Sequence, residues 1–320
     1  MRRSLAGISF VLLTMSGPIF AQEGKSLKGH SAWVGSVAFA PSGKMLATAS
    51  ADKTVKLWMI GDDKALATLT GHQDYVSAVA FSADGKTLAT GSFDKTVKLW
   101  DVETRKLRHT LTGHRGAVQS VAFSPDSQTL ASGSLDGTIW LWDVASGTKK
   151  AVLDKHKTWV NAVSFARTGS LLASGGSDGT VRLWNGTEFA EGAVFDVAKL
   201  GEVRSLAISA DGKKLAAGVR YGTVKLWDLA SRQETTLKGH TSDVWAVAFT
   251  PDGKTLISGD GDWNRPGDIK LWDLETGKVR TSLKHSGEVL SLAVSADGQH
   301  LAAGSWDGGV RVWQLMMIDN

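Results

Sequence analysis

The chain has 320 residues, 42% of them apolar, and a net charge of +4 that falls to +2 without Arg2 and Arg3. It holds no cysteine, which excludes disulfides, thiolate metal sites and covalent haem attachment. So small and evenly spread a charge gives no ground for nucleic-acid or membrane partners, and the apolar share suits a packed core.

Residues 1–21 read MRRSLAGISFVLLTMSGPIFA, with two arginines, an uncharged apolar run, a Gly-Pro break and a final small residue. This is the layout of a secretory signal peptide. Cleavage is expected after Ala21, giving a secreted or periplasmic chain. The apolar run is short and broken by Ser, Thr and Gly, which disfavours a spanning helix, so no membrane insertion is expected after cleavage.

Next comes SLKGH at Ser26–His30, which matches TLTGH at Thr68–His72 and Thr110–His114, and TLKGH at Thr236–His240. In the later copies this segment is the last strand before a new unit begins. At the other end, Asn320 follows shortly after a third strand, VRVWQL. The N-terminal segment 26–29 is therefore expected to supply the missing outer strand, with Ser26–Lys28 pairing against Val310–Trp313 and no free edge left.

Between these ends one unit repeats. Its tryptophans are Trp58, Trp100, Trp142, Trp184, Trp227, Trp272 and Trp313, at steps of 42, 42, 42, 43, 45 and 41 residues. The units run about 30–70, 72–112, 114–154, 156–198, 199–238, 240–284 and 285–320. In the third, alternation and turn residues predict strands at Val118–Ser124, Thr129–Ser134, Thr138–Asp143 and about Lys149–Leu153. The sixth carries the one sizeable insertion, DGDWNRPGD at Asp260–Asp268, which is too interrupted for a calcium loop and is expected to be solvated. The fifth departs most, with FDVAKLGEV where the others have a Gly-His loop.

A period of about 40–45 residues with Gly-His early and Trp-Asp late is the pattern of four-stranded propeller blades. The chain resembles the WD-repeat family, the propellers similar to the G-protein β-subunit, over nearly its whole mature length. The resemblance implies an all-β, seven-bladed propeller of four-stranded antiparallel blades, closed by the N-terminal strand.

Three polar residues recur with the tryptophan in most copies: loop histidines His30, His72, His114, His156, His240 and His285, turn aspartates Asp52, Asp94, Asp136, Asp178 and Asp307, and hydroxyls Thr48, Thr90, Ser132 and Ser174. In the sixth copy Ser258 and Asp262 keep the hydroxyl-to-Asp spacing. A His beside a Ser and an Asp looks like a catalytic triad. An active site is rarely built six times around one ring, however, and a chain of hydrogen bonds from indole N–H to carboxylate would satisfy buried groups. In the fifth copy Lys199, Ala217 and Tyr221 stand at all three positions, as expected of residues that serve only one another. The resemblance implies the same structural role.

Individuality then lies in residues that do not repeat. Trp306, Trp33, Tyr75, Phe93 and Leu135 are expected along one arc of the top face across blades seven, one, two and three, with Trp159 nearby, and acidic residues over blades five to seven. Clustered exposed aromatics mark a binding surface for other proteins. The residues expected to face the central channel are Gly35, Ser77, Gln119, Asn161, Arg204, Trp245 and Leu290, with no carboxylate or imidazole among them. The expected function is a non-catalytic, monomeric interaction platform without cofactor or metal. The alternatives are a hydrolase or lyase working at the channel, or a carbohydrate-binding propeller that stacks sugars on the same rings. The sequon at Asn185-Gly186-Thr187 is a chance turn triplet.

Overall fold

The computed structural model describes residues 19–21, 24–262 and 265–317. Most of the expected signal segment, together with Trp263 and Asn264 of the insertion, lies outside them. Among the described residues the strands form seven antiparallel sheets, six of four strands and one of five. The only helical turn among the described residues is Ala198–Leu200, in the Gly-His position of the aberrant fifth copy.

Blade three shows the unit: strand a at Val118–Phe123, b at Thr129–Ser134, c at Ile139–Asp143 and d at Lys149–Leu153. The strands lie in that order, with a innermost against the a strands of the neighbouring blades. Each periodic tryptophan stands on strand c opposite a leucine of strand b, as Trp142 opposite Leu130, and is buried against the preceding blade. Every one of the seven core clusters holds one of these indoles, so the core is a ring of blade-to-blade interfaces rather than one central mass.

Blades approach closely because strand b is small where the next blade arrives. A Cβ on Gly175 would sit 2.4 Å from Val203 Cγ1, and one on Gly133 would sit 2.8 Å from Val160 Cγ1. Between the a strands a serine hydroxyl accepts a backbone N–H from the following blade: Val163 N to Ser120 Oγ and Val79 N to Ser36 Oγ, both 3.1 Å.

Strand a carries the same bulge in all seven blades. In blade three Val118 pairs with Ser134 and Ser120 with Gly133, leaving Gln119 as the extra residue. A bulge re-aims its extra side chain. Here the extra residues are Gly35, Ser77, Gln119, Asn161, Arg204, Trp245 and Leu290, and all of them line the channel as expected.

The N-terminus closes the ring. Lys25, Ser26 and Leu27 pair with Val312, Arg311 and Val310, and Leu27 is buried at the interface of blades seven and one. Ile19–Ala21 continues this outer strand against Met317–Leu315. No helix among the described residues is long and apolar enough to cross a membrane.

Candidate functional site

The top face is framed by the repeated polar residues. In blade three the Trp142 indole N–H donates to Ser132 Oγ at 2.8 Å. His114 Nε2 meets the same hydroxyl at 2.8 Å, and His114 Nδ1 meets Asp136 Oδ2 at 3.0 Å. A neutral ring with its proton on Nδ1 satisfies every member: Nδ1–H donates to the carboxylate, and Nε2 accepts from the serine. Asp136 also accepts the Arg115 N–H at 2.8 Å and the Thr138 N–H at 2.9 Å, which ties both top loops to one carboxylate. The same chain links Trp58, Thr48, His30 and Asp52; Trp100, Thr90, His72 and Asp94; and Trp184, Ser174, His156 and Asp178.

Burial lowers the His30 pKa, which keeps that ring neutral against the pull of Asp52. Burial alone would raise the Asp94, Asp136 and Asp178 carboxyls. Bonds from the histidine, the turn threonine and a loop N–H outweigh it and hold all three well below the usual carboxylate range.

Two blades depart from the expected set. In blade six Ser258 takes the hydroxyl role, bonding the Trp272 N–H at 2.7 Å and His240 Nε2 at 2.6 Å. The carboxylate beside His240 Nδ1, at 2.9 Å, is Asp260 and not Asp262. The extra residues of the insertion follow Asp262, so the turn that carries the aspartate elsewhere is displaced. Asp262 instead accepts from Ser242 Oγ at 3.1 Å and pairs with Arg265 at 3.1 Å. In blade seven the chain is broken. Ala303 stands at the hydroxyl position, His285 Nε2 has no partner, and His285 Nδ1 takes only the Gly287 N–H at 3.3 Å. Asp307 turns to Ser286 Oγ at 2.6 Å, so His285, Asp307 and Trp313 keep their places but form no relay. In blade five the Trp227 indole N–H donates to Glu234 on strand d at 3.1 Å.

Seven matches to the family model for the WD domain, G-beta repeat, fall at residues 21–59, 63–101, 105–143, 147–185, 194–228, 231–273 and 277–314. The chain belongs to the WD-repeat family. Propellers of this family typically act as non-catalytic scaffolds that bind other proteins.

On the top of this WD-repeat propeller the aromatic arc is continuous over blades seven, one and two. Trp306 and Trp33 stack with centroids 5.7 Å apart and planes 3° apart. Tyr75 meets Trp33 edge-on at 5.6 Å, and Phe93 follows at 5.8 Å from Tyr75. All four rings line a cavity of about 510 Å³ at the channel mouth. Leu135 and Trp159 lie outside it, and no ring contact reaches Trp159 among the described residues, although it is 51% exposed. Trp140, on strand c of blade three, reaches the His114 ring at 5.1 Å and covers Gly113.

The acidic side of the WD-repeat propeller's top is more tightly organised than its sequence suggests. Glu202 pairs with Arg204 at 3.0 Å and Arg220 at 3.2 Å, and Asp243 lies 3.4 Å from Arg220 and 3.8 Å from Arg204. The Arg204 guanidinium also stacks on Trp245, 4.5 Å from the ring centroid. Glu288, which the channel reasoning passed over, lines the cavity as well. Its signal was present, since Glu288 stands three residues after His285, at the position Trp33 holds in blade one. Among the described residues no group of three or more His, Asp or Glu side chains is placed to hold a metal ion.

Proposed function

We propose that this propeller is a non-catalytic docking platform, secreted or periplasmic, that captures a protein partner on Trp306, Trp33, Tyr75 and Phe93, with Leu135 and Trp159 at the periphery. The supporting observation is the stacked Trp33–Trp306 pair continued by Tyr75, with Trp306 and Tyr75 each 41% exposed. The blade scaffold does not require these rings, because several equivalent positions elsewhere hold alanine, serine, glycine, arginine, aspartate or glutamate. Exposed aromatics cost solubility, and a partner that covers them removes that cost. The leader reading sets the mature N-terminus at Gln22, which mass spectrometry of the exported chain reads directly.

The test is capture of partners from the protein's own compartment. Trp33→Ala and Trp306→Ala each remove a ring at the centre of the arc. A central hot-spot ring is worth about 2 kcal/mol or more, roughly a thirty-fold loss of affinity. Tyr221→Ala is the comparison, since that ring is 72% exposed on the same face but lies outside the arc. Wild-type capture by both tryptophan variants would refute the reading.

A further inference from the structure

Glu288 precedes strand a of blade seven (Val289–Val294), and only 5% of it is exposed. Its carboxylate shares the channel mouth with Trp33, Trp245 and Trp306, and its backbone carbonyl accepts the Trp306 N–H at 3.0 Å. The charges around it are already matched. Glu202 and Asp243 form a closed set with Arg204 and Arg220, and Asp262 has Arg265. Among the described residues Glu288 is the one carboxylate lining this cavity, and no cation lies within ion-pair range of it.

The Trp245 indole N–H comes near Glu288 without completing a hydrogen bond, and is itself left unsatisfied. Burial pushes the Glu288 carboxyl up, the Trp245 N–H resists, Asp243 and Asp262 push further, and Arg204 resists again; the balance lies at about 7. An ionised, poorly paired carboxylate beneath an open cavity costs free energy until a counter-charge arrives. Trp33 and Trp306 line the same cavity, and indole rings attract the same kind of group.

We propose that the channel mouth binds a cationic side chain, the arginine or lysine of a docking partner, with its charge on Glu288 and its alkyl stem along Trp33 and Trp306. The site rests on the docking reading and gives the partner its chemistry: a basic residue flanked by apolar ones. Binding requires the ionised carboxylate, so it is present above pH 7 and is lost as the pH falls through the folded pKa.

The experiment titrates the intact chain with butylguanidinium and with its neutral isostere butylurea, following the indole N–H resonances by NMR. At pH 8 butylguanidinium should saturate the Trp245 and Trp306 signals at least tenfold more tightly than butylurea. Between pH 8 and pH 6 the ionised fraction falls from roughly nine-tenths to one-tenth, so apparent affinity should drop about tenfold. Glu288→Gln should erase both the preference and the pH dependence. Glu275→Gln, in an exposed turn of the opposite face, should change neither. Equal binding of the two probes, indifference to Glu288→Gln, or no saturable shift would each overturn the site. The wild-type pH comparison needs no variant to fold. Loss of the cation preference with partner capture still dependent on Trp33 and Trp306 would sink this site alone; intact cation binding without that dependence would sink the docking reading.

Discussion

His114 and His285 provide a matched pair for measuring what the polar relay contributes. Both rings are buried, both stand in the same place in their blades, and both lie near their blade's periodic tryptophan, at 6.4 Å for His114–Trp142 and 6.2 Å for His285–Trp313. Truncation to alanine removes the same ring volume from each. Apart from one further ring contact of His114, with Trp140 at 5.1 Å, the difference lies in hydrogen bonds. His114 holds a carboxylate at 3.0 Å and a buried hydroxyl at 2.8 Å, whereas His285 holds one backbone N–H at 3.3 Å and leaves Nε2 unpaired. His114→Ala strands no bare charge, because Asp136 keeps the Arg115 and Thr138 N–H groups. The excess cost over His285→Ala should therefore be about 1–3 kcal/mol, the range for a buried partner left under-satisfied, and should not reach the larger penalty of an orphaned ion. Urea unfolding at pH 7 measures it as a difference in midpoint at unchanged slope. Equal midpoint shifts for the two variants would show that the ring's bulk, and not its relay, carries the stability.

Ring closure makes a second expectation: Leu27→Ala should cost about 2–5 kcal/mol, and a chain starting at Ser31 should aggregate through the bared third strand of blade seven, read by light scattering. A third concerns pH. The Glu288 carboxyl titrates above its unfolded value of 4.5, so the folded state favours the protonated form and is penalised as pH rises from about 4.5 through 7. Glu288→Gln should accordingly be the more stable protein at pH 8, by about 1–2 kcal/mol after screening by cavity water, and match wild type below pH 4.5 in thermal melts. The relay aspartates have the opposite sign, adding stability above the unfolded carboxylate value that is lost as pH falls toward their depressed folded values.

The architecture was legible because each blade repeats one solution. The tryptophan register, the closing strand and the bulged channel residues all follow from spacing, which backbone geometry enforces. Where a copy departs from the repeat, spacing misleads. Asp262 keeps its distance from Ser258, yet the insertion after it moves the turn and Asp260 takes its place beside His240. Nothing in the spacing of strand c tells that the Trp140 ring crosses to the loop histidine His114. Ala303 removes one hydroxyl and with it the whole relay of blade seven, a dependence visible only when all four members are placed together. The aromatic arc was readable as positions around a ring; the burial of Glu288 was not, because it depends on Trp245 and Trp306 arriving from different blades.

Blade five fastens its loops differently from its sisters. Having lost histidine, hydroxyl and aspartate together, it is held at the top by Glu202, Arg204, Arg220 and Asp243, the last contributed by blade six. Dissolved ions weaken partly exposed pairs such as these far more than they weaken a buried His–Asp bond. The disc thus has one seam that tightens in dilute medium and slackens in brine, and it runs beside the channel mouth.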